Sequence, residues 1–334
     1  MQTTSAEYLV TDPLKPVADI ARVHGVTCSP EQFHAAVNVT FHKYESEIYD
    51  EIHTDMWESL PQQFALLADD CLRQDSTGSG WRMLDIGCGT GLASDSIMKS
   101  SFRPKISSID LLDTSTAMLT RASQRASAWD VPVQTFEGVI ERLEGIGEYD
   151  LVVTCSVLHH VPDLISFLGS VRRLQRAGGI FLHLQDPNGD FMHDPEFVAR
   201  MTRTSKKRLP EWAARLAPQR VIGRLVREVT GQQGEDYLSK TNRDLLSAGI
   251  IKSPLSVAEI FQITDIHVQD GAGVSIKNMA AWLPEYRLVS HRSYAFFGPL
   301  WSTLSPAVKA EEDRLIAARA LNGGHVGAAW RLNV

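Results

Sequence analysis

Three groups of residues have types and spacings that could do chemistry. The first lies in Met83-Leu84-Asp85-Ile86-Gly87-Cys88-Gly89-Thr90-Gly91, where an apolar run with a buried-looking acid meets three glycines at alternate positions. Such glycines allow a tight turn and a close approach of backbone amides to a nucleotide. The second is the pair His159-His160, just after the apolar run Asp150–Leu158. An imidazole titrates near neutrality and can take a proton from a reacting group. The third is Asp186, in Leu184-Gln185-Asp186-Pro187. It could act as a base, orient a histidine, or simply close the turn before Pro187.

The glycine turn fits neither common phosphate pattern. In G-x-G-x-x-G, Gly87 and Gly89 match, but Leu92 occupies the third position and the third glycine comes one residue early, at Gly91. The triphosphate-cradling loop also needs a lysine that is missing here.

An alternation of elements must position these residues. Strand-like runs cover 82–87, 105–112, 131–138, 149–158 and 179–186, with helix-like runs at 91–100, 114–128 and 162–176. Single helices between strands imply a parallel sheet that binds its ligand beyond the strands' carboxyl ends. Residues 30–72 read as helical, and 73–80 as a loop. The rhythm stops at Pro187. Residues 188–283 read mostly as helices, including 211–229 and a helix capped by Ser256 and Glu259. A strand follows at 285–297, then a helix from Ser305-Pro306 to Leu321, then a closing strand. The expected fold is α/β: a Rossmann-like, seven-stranded, mostly parallel sheet with a closing antiparallel hairpin and a helical lid between strands five and six. The expected division is an N-terminal helical cap (1–72), a core (73–187 and 285–334) and a lid (188–284). Strand alternation is expected to turn His183 away from Asp186.

At "LDIGCGTG" the chain resembles the first motif of class I S-adenosylmethionine-dependent methyltransferases, nearest the ubiquinone/menaquinone-biosynthesis type and its natural-product relatives. "ISSID", "DTSTAML", "DLVVTCSVLHHVPD" and "RRLQRAGGIFL" agree in order and spacing, with Ala177 where proline is common, and the closing helix and "HVGAAWRLNV" also agree. The resemblance spans roughly 35–187 and 285–334 and implies S-adenosylmethionine as cofactor.

It also implies roles. Asp85, Gly87, Cys88, Gly89 and Gly91 would hold the amino-acid end. Asp110, with Leu111, would meet the ribose; Asp113, in register with D-x-S-x-x-M-L, competes for that role but reads better as a helix cap. Val139 stands where an acid often meets the adenine, so Val139 and Ile140 would offer an apolar wall, with Cys155 nearby. Tyr49, with Tyr44, would close over the cofactor or pack as core. His160 is the preferred base by analogy with the family's turn, with His159 and Asp186 as further catalytic candidates. No metal site is expected.

Composition agrees with a small-molecule enzyme. Hydrophobic residues make up 43 % and charged residues 22 %, and the net charge of −7 opposes a nucleic-acid partner. Cys28, Cys71, Cys88 and Cys155 form no CxxC pair, and neither a signal peptide nor a membrane span is read, so a cytoplasmic chain is expected. The expected partners are a small molecule and, at most, a second copy in a homodimer. The cluster Arg203, Lys206, Lys207, Arg208 reads as a solvated face or a phosphate contact. The reaction implied is O-, N- or C-methylation of a natural-product or quinone-type metabolite. A non-methylating, cyclase-type or structural S-adenosylmethionine-binding protein is the alternative, and an NAD(P)-dependent oxidoreductase a remote one.

Overall fold

The computed structural model describes residues 12–73, 78–143, 149–205, 236–268 and 273–333. Its centre is one seven-stranded sheet of order β3-β2-β1-β4-β5-β7-β6. The strands are β1 (Trp81–Ile86), β2 (Ile106–Asp113), β3 (Val133–Glu137), β4 (Tyr149–Cys155), β5 (Gln175–Pro187), β6 (Tyr286–Tyr294) and β7 (His325–Leu332). Strands β1 to β5 pair in parallel, and β7 runs antiparallel to both β5 and β6. This is the Rossmann-like sheet with closing antiparallel strands that the pattern predicts.

Alternate residues supply the two faces. Met83, Leu151, Val153, Ile180 and Leu182 join one buried cluster with α4 (Thr54–Leu72) and α5 (Leu92–Met98). Leu84, Val152, Phe181, Ala328 and Trp330 join another with α7 (Leu164–Leu174). A parallel strand buried on both faces needs this continuous apolar run, which is why the central strands are legible in sequence. Helix α6 (Thr116–Ala126) links β2 to β3.

The predicted helical stretch 30–72 divides into α2 (Pro30–Glu45), α3 (Tyr49–Ile52) and α4. Helix α1 (Lys15–Val23) precedes them, and α1 and α2 share an apolar cluster with α9 (Tyr237–Ser247) and α10 (Val257–Thr264) of the insertion. Both arms of the Ser256–Glu259 capping box form, at 3.2 and 2.7 Å. Helix α8 (Pro195–Ser205) packs beside the sheet edge, where Arg200 donates to the carbonyls of Phe296 and Asn322. Helix α11 (Ile276–Trp282) adds Ile276 and Met279 to the second sheet-face cluster. The predicted helix 211–229 and Lys206, Lys207 and Arg208 lie outside the described residues. Arg203 pairs with Glu311 at 2.8 Å.

Helix α12 (Pro306–Ala317) stops four residues before the expected Leu321. Arg319 takes φ +55°, and the Ala320 amide donates back to Leu315, which closes the last turn. Among the described residues, no helix is long and apolar enough to cross a membrane, and the four cysteines form no disulfide.

Candidate active site

The glycine turn joins β1 to α5. Gly87, Gly89 and Gly91 have φ of +63°, +53° and +94°, a region L side chains avoid. A Cβ on Gly87 would stand 2.6 Å from Val157 Cγ2, whereas one on Gly89 would meet nothing within 4 Å. Gly87 is therefore required by packing, and Gly89 leaves open space above the turn.

Two carboxylates flank this space. Asp85 is fully buried; its Oδ2 accepts from the Ser94 amide at 3.1 Å and the Ser94 hydroxyl at 2.6 Å. Its Oδ1 is buried without a hydrogen-bond partner, and burial pushes the carboxyl pKa up to about 7. Asp113, the last residue of β2, accepts from the Gly89 amide at 2.9 Å and the Ser115 amide at 2.8 Å. Burial raises its pKa, and those amides oppose the rise.

A cavity of about 620 Å³ opens over the turn. The ends of four strands line one side, with Gly87, Gly89, Asp113, Val139, Ile140 and Cys155 among them. The N-terminal helices line the other with His34, Phe41, His42, Glu45, Tyr49 and His53, while Phe261 and Asp265 come from the insertion. Asp50 clamps the N-terminal helices to the turn. It accepts from the Thr90 hydroxyl at 2.7 Å, the Trp57 indole at 3.1 Å and the Arg125 guanidinium at 2.6 Å. Glu45 accepts from His42 at 2.8 Å, and His53 stands 3.5 Å away. Burial alone would raise the Glu45 pKa, but the two histidines bring it down to about 2.

The His-His pair lines the same cavity as the glycine turn. The His159 Nδ1–H donates to Asp186 Oδ1 at 2.9 Å, and the His159 amide donates to the same oxygen at 3.2 Å. Burial opposes the charge on Asp186, but the hydrogen bond to His159 and the nearby His183 outweigh it and hold the pKa below the usual carboxylate range. An ionised carboxylate only accepts, so Nδ1 carries a proton, and in the neutral imidazole the lone pair is on Nε2. The His160 Nδ1–H donates instead to the Thr264 carbonyl at 2.7 Å. Burial and the neighbouring His159 and His42 push the His160 pKa well down. The segment after α10 straps across this turn: the His267 amide donates to the His159 carbonyl at 3.1 Å, and His267 Nε2–H donates to the Val161 carbonyl at 2.7 Å.

The residues singled out in sequence divide as follows. Gly87, Gly89, Val139, Ile140, Cys155, Tyr49, His159 and His160 line the cavity. Asp85 lies beneath the turn. Cys88 packs into the core, and Gly91 backs onto Trp129 and Ala122. Asp110 does not line the cavity. The strand continues three residues past it, and Asp110 is buried against Arg82, at 3.2 Å, and the Tyr149 hydroxyl, at 2.7 Å. Asp113 holds the strand-end position instead, and Ser115, not Asp113, caps α6. Leu111 faces the core cluster shared with α4 and α5, alternation turns Leu112 to the opposite face, and Asp113 reaches the cavity as the last residue of the strand. Tyr44 reaches Asp244 on α9 at 2.5 Å and does not line the cavity.

Asp186 pairs with His159, not with the preferred His160. His183 is not turned away from Asp186 but lies 3.8 Å from its Oδ2. Gln185 explains this: its φ of +66° breaks the strand's alternation at the register shift between Leu184 and Asp186. The sequence reading missed His42, Glu45, Asp50 and Asp265. The i, i+3 spacing of His42 and Glu45 on one helix is a usable signal; Asp265 has none.

A family model described as "Methyltransferase domain" matches residues 84–181. The ubiquinone biosynthesis O-methyltransferase of Caulobacter vibrioides is 30% identical over 129 residues, which are 38% of this chain and 43% of that protein. That of Paramagnetospirillum magneticum is 32% identical over 103 residues, 31% of this chain and 39% of the relative. The matches thus span about two-fifths of these relatives. A plantazolicin methyltransferase solved with SAH aligns over 95% of this chain and 99% of its own, at 12% identity and a TM-score of 0.46. The glycine turn, the open space above Gly89 and the unpartnered oxygen of Asp85 fit an aminoacyl nucleoside with an ammonium group, so matched motif and local chemistry agree. Residues 84–181 carry a methyltransferase domain of the class I S-adenosylmethionine-dependent kind, with S-adenosylmethionine as its cofactor.

Proposed function

We propose that the chain transfers a methyl group from S-adenosylmethionine to a hydroxyl oxygen of a small, partly apolar metabolite of quinone or natural-product type. The observation that carries this reading is that one cavity joins the glycine turn and Asp113 to the imidazole of His159.

The backbone at Gly87 and Gly89, with Asp85, would meet the amino-acid end of the cofactor. Asp113 would accept from the ribose hydroxyls, and Val139 and Ile140 would flank the adenine. The bound cofactor supplies a methyl group activated by a sulfonium. The protein's task is to hold the acceptor oxygen in line, roughly 3–3.5 Å from that carbon. His159, oriented by Asp186, takes the hydroxyl proton at Nε2. Val39, Phe41, Met56, Phe167 and Phe261 supply apolar walls. The described residues of 1–72 act as a cap and those of 188–284 as a lid, whose strap at Asp265–His267 covers the His-His turn. The name of the curated relatives, ubiquinone biosynthesis O-methyltransferase, supports an oxygen acceptor.

The test is incubation with methyl-labelled S-adenosylmethionine and a panel of phenols, catechols, enols, hydroxy acids and amines. Label recovered in an O-methyl ether, with one S-adenosylhomocysteine per product, is expected. Label only on nitrogen or carbon would replace the hydroxyl. Cofactor binding without transfer to any member would favour a non-methylating protein of this fold.

A further inference from the structure

We propose that His159, His160 and Asp265 form a binding site for one divalent transition-metal ion at the acceptor end of the cavity. A ring nitrogen of each histidine and a carboxylate oxygen of Asp265 all lie within 4.8 Å of one another. All three residues line the cavity, so an ion can enter from solvent.

The outer hydrogen bonds prepare the imidazoles for this role. His159 Nδ1–H donates to the Asp186 carboxylate, and His160 Nδ1–H donates to the Thr264 carbonyl. Metal-binding imidazoles generally donate their second nitrogen to a carboxylate or a backbone carbonyl, which fixes the ring and leaves the other lone pair for the ion. Both histidines have such a partner, but the His160 Nδ1 that meets the Thr264 carbonyl also stands 3.4 Å from Asp265 Oδ1, so uptake of the ion requires the His160 ring to turn or Nδ1 to exchange that carbonyl for the ion. The two rings are held close, with centroids 4.0 Å apart. Two imidazoles and a carboxylate suit Zn²⁺, Fe²⁺, Co²⁺ or Ni²⁺, and not the all-oxygen shells of Mg²⁺ or Ca²⁺.

An ion held at about 2.0–2.2 Å from each donor needs the donors roughly 3–3.5 Å apart. Asp265 lies on the strap that crosses the His-His turn, so ion binding would draw the insertion towards β4 and close this end of the cavity.

The consequence for catalysis, but not the site itself, rests on the methyl-transfer reading. The ion's open positions would take the acceptor hydroxyl and lower its pKa. The proton leaves to water, the oxygen–methyl bond forms as the sulfur–methyl bond breaks, and S-adenosylhomocysteine departs. With the ion bound, His159 is a ligand, and the ion takes its place in activating the hydroxyl.

The experiment uses the full chain without a histidine tag, stripped with chelator and titrated with Co²⁺ by visible absorption and with Zn²⁺ by calorimetry. One ion per chain is expected. His160→Ala and Asp265→Ala should each weaken it at least about tenfold, and Asp186→Asn about 10–100-fold. S-adenosylhomocysteine titration of each variant reports whether the fold and the cofactor cradle survive. Wild type that binds S-adenosylhomocysteine but takes up neither ion overturns the site, as does unchanged ion affinity in both His160→Ala and Asp265→Ala. Ion binding lost in those variants supports the site even where no acceptor is methylated, so the two proposals fail separately.

Discussion

His159 Nδ1 and Asp186 Oδ1 are 2.9 Å apart although 27 positions separate them in sequence, because β4 and β5 pair side by side, His159 follows the carboxyl end of β4 and Asp186 is the penultimate residue of β5. Asp186 does not line the cavity, so it is a positioning residue: it sets the tautomer and the ring angle of His159. Asp186→Asn should therefore lower kcat by about 10–100-fold. Affinity for S-adenosylhomocysteine should stay within about twofold, since nothing at the glycine turn changes. Steady-state kinetics beside calorimetry checks this, and a loss of cofactor affinity equal to the loss of rate would point to a general structural defect.

The two acids of β2 should separate cleanly. Asp113→Ala removes the acceptor that holds the Gly89 amide and faces the cavity. Calorimetry should show S-adenosylhomocysteine binding weakened by on the order of 1.5–3 kcal/mol, the usual loss for a hydrogen bond to a charged group. Asp110→Ala should leave that affinity alone and lower thermal stability by about 1–3 kcal/mol, because the buried Tyr149 hydroxyl loses its acceptor. The reverse pattern would return the ribose contact to Asp110.

Asp50 joins three elements without lining the cavity: Thr90 on the turn, Trp57 on α4 and Arg125 on α6. Asp50→Ala should loosen the N-terminal helices over the cofactor. A roughly tenfold weaker cofactor affinity, about 1.4 kcal/mol, is expected. Faster hydrogen exchange in residues 49–57 should accompany it. Exchange that quickens with no change in affinity would show that the cap does not contribute to cofactor binding.

Glu312 accepts from the Phe296 amide at 3.0 Å, and burial raises its pKa to about 7, above the usual 4.5. The folded state then binds this proton more tightly than the unfolded chain. Its contribution to stability is fully present below pH 4.5 and is lost as pH rises through about 7. Glu312→Gln should match wild type in acid and exceed it by on the order of 1–3 kcal/mol above pH 8. Denaturant unfolding at pH 5 and pH 8.5 reads the difference directly. Equal stabilities at both pH values would show that Glu312 pays no penalty when ionised.

The central strands, the helices between them and the glycine turn were all legible in the sequence. Burial on two faces imposes continuous apolar runs, and a left-handed turn imposes glycine, so both leave a local mark at Met83–Gly91 and again at Tyr149–Cys155. Pairings between distant residues leave none. The three-residue difference between Asp110 and Asp113 turns on where β2 ends, which its neighbours β1 and β3 decide. The partner of His159 depends on one left-handed residue, Gln185, that brings Asp186 and His183 to the same side. Thr264 meets His160 across 104 residues, and Asp265 follows it on the same strap. Periodicity reports how each residue meets the core of its own element. Which charged and polar side chains converge on the cavity is decided by strand register and by how the cap and the insertion pack over the sheet.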